Sequence, residues 1–313
     1  MQLEIKIALF GGVVPGVVAL ATLLPAWWRA KKRGTLAHAG DERPARDGPV
    51  WLAPVLVFVA FAGADYAVNG PPHWWTPHGP YRFIHAVGLM CALGVLEGLV
   101  RVPVWIAAVL RAAALAGVVW MLGSPYSGPD AFVPTHDYIG WMLAMTIGGS
   151  AAITLADRGA QLMRGAFTPI VLLALVGGAA KVAEMNTLGF AAQTAPALVA
   201  VLTNVLIVSA FVRGIRLDRG GVTAVLGVVY AWLAGTYFQA YALSMPVLVL
   251  VALSPIGLAC AAAMPKRPWP VRLGVCLIVT GVCLGAAAWV STLAAPAGDD
   301  SGDPDPYAGY VAP

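Results

Sequence analysis

The chain has 313 residues, of which 59% are hydrophobic and only 11% charged. A water-soluble domain carries about 25% charged residues, so the composition excludes a soluble globule and predicts an all-α, polytopic integral membrane protein. The net charge of +4 is accounted for by loop asymmetry, which leaves the lipid bilayer as the expected partner and no case for nucleic acid.

Apolar blocks of roughly 18 to 25 residues can cross about 30 Å of hydrocarbon as helices. Ten are predicted: residues 5–28, 50–69, 83–100, 104–122, 138–156, 167–188, 191–212, 222–241, 246–264 and 271–293. Pro15 beside Gly16 predicts a kink in the first. The basic cluster Arg29, Lys31, Lys32 and Arg33 follows that run, while Lys6 before it is offset by Glu4. That order predicts an uncleaved first span with its N-terminus outside rather than a signal peptide.

Charge placement supports the count. Of nineteen basic residues, fifteen fall on alternate connections: six within 29–47, then Arg101, Arg158, Arg164, Arg213, Arg216, Arg219, Lys266, Arg267 and Arg272. The positive-inside rule makes that side cytoplasmic and puts both termini outside. Tryptophans at the boundaries agree, with Trp27, Trp28, Trp51, Trp105 and Trp269 on the inner side and Trp74, Trp75, Trp120 and Trp141 on the outer. The predicted organisation is a single transmembrane domain over residues 1–296, with a cytoplasmic loop at about 29–49. An acidic tail over 297–313 is expected to be disordered and extracytoplasmic.

Glycine spacings that allow close helix approach occur at Gly12/Gly16, Gly94/Gly98 and Gly281/Gly285. Cys91, Cys260, Cys276 and Cys283 all lie inside apolar runs and form no CxxC pair, so they read as packing residues.

Ionisable residues inside spans are costly, and so they are where function is sought. Six stand out: Asp65, His85, Glu97, Arg111, Lys181 and Glu184. Glu97 and Arg111 lie near the inner ends of consecutive spans joined by a tight connection, and they are predicted to form a structural ion pair. Asp65 with Asn69, Lys181 with Glu184, and His85 collect toward the outer half. They are candidates for a substrate or ion site in which a carboxylate takes a proton or cation and Lys181 is the counter-charge. A buried polar staple is the competing reading.

The histidines at 73, 78, 85 and 136 match no compact ligand motif, and no metal site or cofactor is expected. There is no P-loop, GxSxG, HExxH, CxxCH or GxGxxG. Three functional readings follow: a small-solute or ion permease, a non-catalytic subunit of a membrane complex or homo-oligomer, and a membrane-embedded enzyme acting on lipid or envelope precursors. The first is preferred, in a bacterial cytoplasmic membrane.

Overall fold

The computed structural model describes residues 5–6, 9–32, 50–71, 82–100, 102–127, 133–163, 165–186, 189–211, 217–240 and 244–294. Most of the long basic loop, the tail from 297, His73 and His78 lie outside them. The described part is 89% helical and contains no strand.

The helices are α1 (Val14–Lys32), α2 (Leu52–Asn69), α3 (Arg82–Leu99), α4 (Val104–Gly123) and α5 (Thr135–Leu162). They continue as α6 (Phe167–Met185), α7 (Gly189–Phe211), α8 (Gly220–Gly235), α9 (Met245–Leu253), α10 (Ile256–Ala263) and α11 (Trp269–Ala294). Eight of these elements are long and apolar enough to cross a membrane, or nine if the bent pair α9–α10 counts as one span. With no water in hydrocarbon to satisfy the backbone, helices are what such runs must form.

Two breaks have identifiable causes. Pro255 cannot donate an amide hydrogen, and α9 and α10 meet at a 40° bend beside it. The Val251 carbonyl, which loses its amide donor there, accepts a hydrogen bond from Ser254 Oγ at 2.7 Å, and Thr280 Oγ1 of α11 donates to the Ser254 carbonyl at 3.3 Å. Near the start of the chain, a π-helical turn over Leu9–Val13 precedes α1, just before Pro15. A missing amide is accommodated in this way by widening the turn.

The bundle is organised around α8. All sixteen of its residues are buried, packed by α3, α4, α2, α5 and α6. Contact with α3 is closest, because a methyl group built on Gly220 would sit 1.6 Å from the Gly94 carbonyl oxygen. Further along, one on Gly235 would sit 2.2 Å from the Phe83 ring. Glycines at these positions let two backbones approach where any side chain would clash. At the periphery, α11 buries only 22% of its apolar window.

Candidate functional site

The polar groups that converge do so at one end of α8, where α3 ends and α4 begins. Glu97 on α3 and Arg111 on α4 are 4% and 2% exposed. Arg111 grips Glu97 with both faces of its fork, Nε to Oε1 and Nη2 to Oε2, each at 2.8 Å. Such bidentate geometry is the strong form of the interaction.

Two further helices join. Arg111 Nη2 also donates to Asp157 Oδ2 at 2.9 Å, and Nη1 donates to Thr154 Oγ1 at 3.1 Å, both on α5. Thr223 of α8 donates to Glu97 Oε2 at 2.6 Å, and Gln161 Nε2 donates to Asp157 Oδ2 at 3.2 Å. One guanidinium thus serves two carboxylates from different helices. Glu97 has both oxygens occupied, whereas Asp157 Oδ1 has no hydrogen-bond partner among the described residues.

The network is not sealed. A cavity of about 230 Å³ runs to it, lined by Glu97, Arg111, Thr154 and Asp157, with Arg158 and Arg219 also in its wall. Val100, Val102, Val104 and Ala107 supply the apolar wall. Arg158 is exposed and Arg219 half-exposed. Arg219 precedes α8 with a φ of 53°, the left-handed region that residues other than glycine seldom adopt.

The outer candidates divide into two places. Asp65 is completely buried on α2. Its Oδ1 accepts from Asn69 Nδ2 at 2.7 Å, and Oδ2 has no hydrogen-bond partner among the described residues. His85, at the start of α3, is within electrostatic reach of that carboxylate. Lys181 and Glu184 pair with each other at 3.0 Å on the outside of α6, with their side chains 65% and 48% exposed. Asn186 caps α6 by donating to the Val182 carbonyl at 2.7 Å, and it ties α6 to Ser291 of α11 at 2.9 Å. Arg82, at the start of α3, donates to the Met121 carbonyl at 3.1 Å and closes the end of α4.

Sequence reasoning paired Glu97 with Arg111 but missed Asp157, because the apolar run of that span ends at Ala156. The helix continues to Leu162, a length of 28 residues or about 42 Å at 1.5 Å per residue. The available signal was Thr154, Asp157 and Gln161, spaced three and four apart on one helical face. His136 and Asp137 lie 3.4 Å apart and are largely exposed. Among the described residues, no group of three or more His, Cys, Asp and Glu side chains is placed to hold a metal ion.

No protein-family model matches this chain, and neither characterised proteins nor solved structures gave a match to it.

Proposed function

We propose that this protein is a small-solute permease whose solute site is the cavity above the Glu97–Arg111–Asp157 network. One observation carries the reading: a cavity of about 230 Å³ reaches three buried ionisable side chains drawn from three helices. Intramembrane charges that face a shared polar space mark solute and ion pathways. A cavity of this size lies below the range of about 300–1,000 Å³ for drug-sized ligands, which favours a small solute.

The topology we infer has ten crossings. To the eight long helices it adds the bent pair α9–α10 and the N-terminal helix running from Leu9 to Lys32. With the fifteen clustered basic residues inside, both termini are outside, the cavity opens toward the cytoplasm, and the membrane is a bacterial cytoplasmic one. Asp65, Asn69 and His85 form a second polar locus toward the outer side and remain candidates for a coupling proton or cation. Lys181 and Glu184 belong to the outer surface of α6, away from this path.

A second reading, a subunit of a membrane complex, is favoured by the wide apolar face of α11, where Ile278, Val282, Trp289 and Leu293 are 65–66% exposed. The two separate cleanly. Purified protein reconstituted into liposomes is expected to accumulate at least one member of a panel comprising alanine, lactate, inorganic phosphate, ethylamine and sodium ions. No accumulation above protein-free liposomes, together with stoichiometric co-purification of another membrane protein, would establish the second reading instead.

A further inference from the structure

What the cavity takes is set by which of its polar groups are already matched. Glu97 accepts from Arg111 and Thr223, and Arg111 donates to Glu97, Asp157 and Thr154. Among the described residues, three charged groups in the wall keep an atom that these bonds do not use. Asp157 is 6% exposed, and its Oδ1 is a buried acceptor with no hydrogen-bond partner among the described residues. An acceptor in that state is costly unless something donates to it. The other two are Arg158 and Arg219, whose guanidinium groups make no hydrogen bond or ion pair with any described residue. Both lie nearer solvent than Asp157. The N-terminus of α8, which follows Arg219 directly, adds its partial positive charge at the same level.

The unmatched groups are therefore ordered by depth: an acceptor at the buried end, two cations at the mouth. The inner charge is also unbalanced among the described residues, where Glu97 and Asp157 share Arg111 as their ion-pair partner. A ligand with a donor or positive charge at one end and a negative group at the other completes both. A plain anion would leave Asp157 orphaned and face two carboxylates. A plain cation would have to pass two arginines that it does nothing to satisfy.

We propose that the cavity binds a zwitterion, with an ammonium group toward Asp157 and a carboxylate or phosphate toward Arg158 and Arg219. The inference rests on the permease reading for its choice of cavity, but it concerns binding, which is measured separately from uptake. The same chemistry has two sources, a free solute such as an amino acid or phosphoethanolamine, and the headgroup of phosphatidylethanolamine at the membrane surface.

The test uses the full chain in nanodiscs of phosphatidylglycerol, a lipid without an ammonium group. Thermal unfolding is followed while β-alanine, phosphoethanolamine, ethylamine or propionate is titrated in, and in separate discs containing phosphatidylethanolamine. The zwitterions are expected to stabilise the protein saturably, and the single-charge halves to do so at least about tenfold more weakly, since each forgoes a charged hydrogen bond. Stabilisation by β-alanine or phosphoethanolamine identifies a free solute, and stabilisation by phosphatidylethanolamine alone identifies the headgroup. Either result upholds the zwitterion.

Asp157→Asn and Arg219→Gln are each expected to weaken the effect about tenfold. Should Asp157→Asn fail to fold, Arg219→Gln at the half-exposed rim carries the test alone. The proposal falls if propionate or ethylamine binds as well as β-alanine, if Arg219→Gln binds like the wild type, or if neither zwitterion source stabilises the protein. Uptake of a solute without zwitterion binding would leave the permease reading standing and remove this one. Zwitterion binding without uptake would do the reverse.

Discussion

Two of the ion pairs on the described helices, Arg111–Glu97 and Lys181–Glu184, differ in almost every respect that gives a pair consequence. Arg111 and Glu97 come from neighbouring helices, are almost wholly buried, and share a third partner on α5. Lys181 and Glu184 are three residues apart on one helix and stand on its outside. The first pair joins tertiary structure and lines a cavity; the second satisfies itself locally. Depth and helix origin, rather than the presence of charge in an apolar run, separate an element of a site from an element of a surface.

That contrast can be broken at its strong end first. Arg111→Met leaves two buried carboxylates without a cation, and an uncompensated buried charge costs about 3–5 kcal/mol. Thermal unfolding in mild detergent should show a loss of that order. Adding Glu97→Leu and Asp157→Leu to the same chain should recover most of it, because an apolar replacement of a whole buried network is often neutral. If the triple variant is as unstable as the single one, burial of unpaired charge is not the cause.

The helix contact that positions the site should be the next most sensitive. Gly220→Ala drives a methyl group to within 1.6 Å of the Gly94 carbonyl oxygen, and overpacking of this kind costs about 1–3 kcal/mol. Gly281→Ala on α11, where nothing lies within 4 Å, should unfold within about 0.5 kcal/mol of the wild type. Equal losses at the two positions would contradict the close packing of α3 against α8.

At the weak end, Lys181→Gln breaks a pair that is exposed and local. Unfolding measured beside the wild type should differ by no more than about 0.5 kcal/mol. A loss as large as that of Arg111→Met would mean that the outside of α6 is covered by a partner.

Much of the architecture was legible in the sequence because its physics is one-dimensional. The need for about 20 apolar residues per crossing placed most helix ends within three residues of those observed, as for α4 at Val104–Gly123. What the run length could not show was the polar extension of α5 past Ala156, since hydropathy stops where the helix does not. It also missed the bend at Pro255, which sits inside an unbroken apolar block.

Glycine spacing was a mixed guide to contact. Gly94 and Gly98 carry a GxxxG signature and pack closely, against Gly220 and Trp51; Gly281 and Gly285 carry one and face open space, while Gly220, Gly227 and Gly235 make close contacts without one. Three-dimensional neighbours decide that difference, and a single sequence does not list them. The candidate site shows the same limit: Glu97 and Arg111 are close enough in sequence to be paired by a hairpin argument, whereas Thr223 lies 126 residues from Glu97.

The claim that the basic-end cavity, rather than the outer charges, handles solute is tested most directly by one uptake comparison. Asp157→Asn and Glu184→Gln are reconstituted at equal density beside the wild type, and accumulation of labelled β-alanine and phosphoethanolamine is followed. Wild-type accumulation that Asp157→Asn reduces at least about tenfold and Glu184→Gln leaves unchanged is the predicted result. Loss in Glu184→Gln with full uptake in Asp157→Asn would contradict it and return the site to the outer half of the membrane.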